Sequence, residues 1–241
     1  MSNRLLIAAF IVATLIMTVM LAPMSLLTER LARTEAFGAA SVSGAVWNGR
    51  LKDVTLAGAP IGTWRGGLNP LALVTGQVRI GLRHDKAGSD QRATLLLSGR
   101  DKGIERLSLR TSADLASLGL PLMGDVALRD VSAVFRKGRC ARAGGEMRLR
   151  LIGDGPLRGA VLSGVAVCRA GTWTTTLSGR ASGADLTLGA RVEGDGRYQL
   201  EMSAATSDPD LIQGLVASGF VRDATGARRS VDGRLVAPSA Q

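Results

Sequence analysis

The chain has 241 residues, enough for one or two domains with a real core, and carries 30 lysines and arginines against 20 aspartates and glutamates, a net charge of +10. The basic residues are dispersed, with no run of five or more, which excludes the block pattern of a nucleic-acid tail; aromatics at 3% are too few to stack single strands. The charge suits acidic lipid headgroups, an acidic protein partner, or plain solvated strand faces.

Residues 1–4 form a short basic N-terminus ahead of Leu5–Ala22, an uncharged apolar run. A helix over that run rises about 27 Å, close to the hydrocarbon thickness of a bilayer. Arg4 precedes it, so the N-terminus stays cytoplasmic and the rest is exported. The run is longer than a secretory h-region and Pro23 follows it directly, so an uncleaved single-pass anchor is expected. Residues 23–37 keep a helical period, with Leu26, Leu27 and Leu31 against Glu29, Arg30 and Arg33, which reads as an amphipathic stalk.

From residue 38 to 241 the period changes to two. Ser43 to Leu51, holding Gly44, Trp47 and Gly49, reads as the opening strand of a sheet with Trp47 plugging the core. Asn69 and Pro70 supply an N-cap and N1 for a short helix that Gly76 ends. Strands with one apolar and one wetted face follow. Val78, Ile80 and Leu82 oppose Arg79 and Arg83, and Leu107 and Leu109 oppose Arg106, Ser108 and Arg110. Asp114 caps a brief helix through Leu118, stopped by Gly119 and Pro121. Val131, Ala133 and Phe135 then alternate with Ser132, Val134 and Arg136, and Met147, Leu149 and Leu151 with Arg148 and Arg150.

Two later runs, Leu186 to Val192 and Tyr198 to Met202, do the same, with turns at Gly153–Pro156 and Glu193–Gly196. Asp208, Pro209 and Gly219 bracket the best helix, with Leu211, Ile212, Leu215 and Val216 on one face, and a last strand runs near Arg229 to Val236. The tetrapeptide Leu97-Ser98-Gly99-Arg100 recurs as Leu177-Ser178-Gly179-Arg180, each expected to close a strand and begin a turn.

Two cysteines, Cys140 and Cys168, fall in the exported part, where an even count permits one disulfide; two buried free thiols are the alternative. The lone histidine, His84, sits beside Asp85 and Lys86 in an expected turn, and neither a phosphate loop nor a Gly-x-Ser-x-Gly elbow occurs. The reading is therefore a non-enzyme, with no catalytic residue, no cofactor, no metal and no nucleic acid.

The anchor, then Gly44-Ala45-Val46-Trp47-Asn48-Gly49-Arg50, then Leu68 to Gly76 come in an order that resembles the type II secretion system protein N (general secretion pathway protein N) family. The likeness continues through Gly138-Arg139-Cys140, Cys168 to Gly171, Leu211 to Phe220 and Val231 to Leu235. It implies a single-pass inner-membrane protein of a Gram-negative envelope with a periplasmic β-rich domain. Such a protein would be an accessory subunit that meets other secretion subunits and supports transport of folded proteins across the outer membrane. The expected fold is mainly β: an N-terminal transmembrane helix, then a large, curved, mostly antiparallel β-sheet meander with a few short helices. A looser, fold-level similarity to AsmA-like envelope proteins implies the alternative, a lipid-binding module with an apolar groove.

Overall fold

A computed structural model describes residues 37–56, 59–120, 122–153 and 155–234. The anchor expected at residues 5–22 and the stalk up to residue 36 lie outside the described residues, as do Asp154, Leu235 and Val236. Among the described residues, no helix is long and apolar enough to cross a membrane.

The alternating stretches become strands of one antiparallel sheet. They are β1 (Phe37–Ala45), β2 (Asn48–Leu56), β3 (Ala59–Leu68), β4 (Val78–His84), β5 (Arg92–Leu97), β6 (Asp101–Asp114) and β7 (Met123–Arg136). Then follow β8 (Arg139–Ile152), β9 (Val161–Arg169), β10 (Thr172–Ala181), β11 (Ala184–Val192), β12 (Arg197–Ala205), β13 (Val221–Arg222) and β14 (Gly226–Arg234). Each strand from β1 to β11 pairs with its successor, and β14 enters between β12 and β13. The two helices, α1 (Pro70–Val74) and α2 (Pro209–Ala217), start at the Asn69-Pro70 and Asp208-Pro209 signals read from the sequence. Asp114 caps a single 3-10 turn over Leu115–Leu118, and Gly119 ends it at a left-handed φ of 83°.

With only short helices to cover it, the sheet buries its apolar face by curling on itself. The Trp173 indole Nε1 on β10 donates to the Ser132 carbonyl on β7 at 3.1 Å, although two strands lie between them in the sheet. Gly164 on β9 lets β10 lie close beside it, since a Cβ there would run into the Thr176 carbonyl of β10. One core cluster, around Leu51, Val54, Trp64, Ile80, Leu107 and Trp173, fills the N-terminal half. The other, around Leu149, Leu162, Leu186, Met202 and Leu215, is sealed by α2. Arg229 on β14 ties this end together, donating through Nε to the Gly119 carbonyl at 3.0 Å and through Nη1 to the Gly219 carbonyl at 2.7 Å.

Three expectations need correction. Val216 is 44% exposed while Leu211, Ile212 and Leu215 are buried, so the buried stripe of α2 is narrower than its apolar pattern. Val134 and Ser132, expected on the wetted face of β7, are both buried, while Val131, Ala133 and Phe135 keep their place at the core cluster, so this part of β7 is covered on both faces. The repeated tetrapeptide has two roles: Ser98 to Arg100 form the β5–β6 turn, whereas Ser178 to Arg180 stay inside β10, paired with β11.

The Asp208 carboxylate accepts from the Asp210 and Leu211 amides at 2.9 and 3.3 Å, satisfying two of the free donors at the start of α2. Asp208→Ala should therefore lower stability by about 1 kcal/mol, read as a small drop in the urea midpoint at unchanged slope.

Candidate interaction surfaces

The residues singled out from the sequence gather at one end of the N-terminal half. Ser43 to Leu51 is a hairpin and not one strand: Ala45 pairs with Asn48, and Val46 and Trp47 make the turn. Trp47 is only half-buried there, whereas Trp64 and Trp173 are the core tryptophans. Gly44 takes φ 91° beside the turn, and Gly49 is buried opposite it in β2. The turn docks on the end of β3, where the Leu68 amide donates to the Val46 carbonyl at 2.9 Å. Gly67 permits that approach, since any Cβ there would strike the Trp47 backbone. Directly after it, the Asn69 side chain caps α1 by accepting from the Leu71 amide at 3.0 Å, Pro70 fills N1, and Gly76 leaves the helix at φ 71°. The structure thus brings the Gly44–Gly49 turn and the Asn69–Gly76 helix to neighbouring positions. Leu71 on α1 is 78% exposed.

The cysteines lie apart from this end, and they are bonded. Cys140 near the start of β8 and Cys168 near the end of β9 form a disulfide with Cα atoms 5.6 Å apart. The β8–β9 ladder runs from Glu146 with Val165 to Arg150 with Val161, so the disulfide holds the two strands where ladder pairing has ceased.

His84 is engaged by its neighbours. Its ring meets Trp64 edge-on at 5.6 Å, and its Nδ1 accepts from the Lys86 amide at 3.3 Å. Among the described residues, no group of three His, Cys, Asp or Glu is placed to hold a metal ion.

Charge is organised along the outer face, opposite the core clusters. Arg50, Arg65, Arg83 and Arg92 stand directly across from one another on β2, β3, β4 and β5. This row could not be seen in the sequence, because it exists only through the pairing register. Asp85 takes Arg50 at 3.2 Å and Arg65, and Asp130 takes Arg92 at 3.2 Å. Farther along, Arg110 and Arg148 lie on either side of Ala127.

Near the β5–β6 and β7–β8 turns, Arg136 grips Asp101 with two bonds of 2.7 and 2.9 Å. Those bonds hold the Asp101 carboxyl below its ordinary 3.8. Hydrogen bonding from Arg180 similarly lowers Asp185, the Arg197 amide lowers Asp195, and Thr225 lowers Asp223. A carboxyl whose folded pKa is depressed adds stability that is present above its unfolded value and is lost as the pH falls through the folded one. Stability should therefore fall as the pH drops below 3.8. Asp101→Asn should shrink that acid loss by slightly lowering the midpoint near neutrality while leaving the acid midpoint little changed, as read in paired urea titrations at both pH values.

Residues 35–231 match the family model described as type II secretion system (T2SS), protein N. Neither a curated protein nor a solved structure matches the chain.

Proposed function

We propose, from the premise that the chain belongs to the type II secretion system protein N family, that it is an inner-membrane-anchored accessory subunit of that system, acting through contacts with other subunits. On this reading residues 1–4 are cytoplasmic, residues 5–22 span the membrane, and residues 38–241 form a periplasmic domain that supports transport of folded proteins across the outer membrane. The observation that carries it is the family match, which runs from just before β1 into β14 and so takes in almost the whole sheet. The Cys140–Cys168 disulfide agrees with an oxidising compartment, and Leu5–Ala22 supplies a stretch of the right length for the anchor. A subunit that works by docking needs rigid, exposed features and no reacting group. The half-buried Trp47 turn and the exposed Leu71 of the neighbouring helix are candidates for such contacts.

Deleting the gene should impair release of type II substrates into the medium, and the intact gene should restore it. Copies lacking residues 38–241 should not restore it. Unchanged secretion, together with no secretion subunit recovered when the full chain is purified from crosslinked membranes, would overturn the proposal. The lipid-groove alternative draws less support, since Leu107 and Leu149, two residues that would line the groove, are 5% and 3% exposed.

A further inference from the structure

We propose that the arginine row on the outer face of β2–β5 is a phosphate-binding surface that lays this end of the sheet on the anionic headgroups of the membrane. Like charges placed directly opposite on neighbouring strands are unfavourable. Four arginines in register at strand spacing, over about 14 Å, are therefore a costly arrangement for a resting surface. Among the described residues two carboxylates answer them, Asp85 shared between Arg50 and Arg65, and Asp130 on Arg92. Arg83, in the middle of the row and exposed, has no acidic partner among the described residues. The same face farther along the sheet holds no such row: β10 and β11 set Thr174 opposite Arg191, Thr176 opposite Gly189, Ser178 opposite Thr187 and Arg180 opposite its ion-pair partner Asp185. Guanidinium forks match phosphate oxygens in pairs, so a plane of phosphates answers a row of arginines better than a row of lysines.

The membrane is the occupant favoured by the position of the row. The proposal rests on the tether proposed above, in which Ala22 ends the span and 14 residues reach Phe37. Fully extended, those residues cover about 46 Å. The row crosses β1's neighbour at Arg50, level with Ser43, which is about 20 Å along β1 from Phe37. The tether therefore keeps β2–β5 at high local concentration near headgroups, whereas an acidic protein must arrive by diffusion.

Gly81 gives a reporter position. It is exposed on β4 between Arg79 and Arg83, and a Cβ added there meets nothing within 4 Å. Both native cysteines are bonded, so Gly81→Cys offers a single thiol for an environment-sensitive dye. The labelled full chain is reconstituted in phosphatidylcholine nanodiscs and in mixed phosphatidylcholine–phosphatidylglycerol nanodiscs. The expected result is a dye response that needs phosphatidylglycerol and fades with added salt. Arg83→Glu should cut it about tenfold and Arg83→Gln less, with the circular dichroism of the folded sheet unchanged. Incorporation with a silent dye, or a response equal in both lipids, overturns the headgroup proposal alone. A response to soluble polyglutamate without one to phosphatidylglycerol also overturns it, in favour of an acidic protein. Failure to incorporate overturns the tether, and this proposal with it.

Discussion

Trp64→Ala should destabilise the domain by about 3–5 kcal/mol, while Trp47→Ala should cost far less. Trp64 is 1% exposed, its Nε1 donates to the Ile61 carbonyl at 2.9 Å, and its ring packs edge-on against His84. Truncating it removes the largest buried side chain of the N-terminal cluster and leaves a cavity that paired strands cannot collapse to fill. Trp47 occupies a hairpin turn and is only half-buried, so alanine there removes little packing. Urea melts of the two variants separate these positions by size of effect. Equal losses would mean that the turn, and not Trp64, anchors this half. Because Trp47 lies in the family-matched region without being a core residue, its variant is also the better probe of docking. Secretion that falls while the urea midpoint holds would mark Trp47 as a contact residue.

Replacing both Cys140 and Cys168 with serine should cost about 3–4 kcal/mol, from the loop entropy of a bridge between residues 28 apart. The position of the bond makes the loss more than a general one. The start of β8 lacks ladder pairing to β9, and the Cys140 amide instead donates to the Gly171 carbonyl in the β9–β10 turn at 2.6 Å. Without the bridge, this corner should open before the rest, giving faster amide exchange in the first residues of β8 and at the β9–β10 turn. Wild-type protein in reductant should match the double serine variant. A urea midpoint that moves in neither case would show that the bond is incidental to stability.

The sequence was legible where local chemistry decides the outcome. Asn69-Pro70, Asp114 and Asp208-Pro209 carry their caps in the adjacent residues, and each starts a helical turn where read. The alternations at Val78–Leu82 and Met147–Leu151 held, because one face of each strand is buried and the other wet. Legibility ended where pairing decides. Val46-Trp47 lacks the Asn-Gly chemistry that announces a two-residue hairpin, so its composition reads as strand although it forms a turn. Ser132 and Val134 are covered although they lie opposite the core residues Val131, Ala133 and Phe135, and no local pattern marks a stretch of strand covered on both faces. The arginine row needs three successive registers before its members become neighbours. Of the surfaces described above, the α1 cap is legible as such in a short motif, whereas the Gly44–Gly49 motif marks its position without showing that it turns.

The order of the strands also bears on how the protein comes to exist. From β1 to β11 each strand waits only for the next one along the chain, so pairing can proceed hairpin by hairpin, with short loops to close. A polypeptide whose exported part emerges in chain order can lay down its strands one after another. The growing edge stays open until the final segment arrives, when β14 pairs with β12 and α2 seals the second cluster. A nascent chain stopped short of residue 226 would expose the β12 edge, making the last strand the step that turns a sticky intermediate into a finished fold.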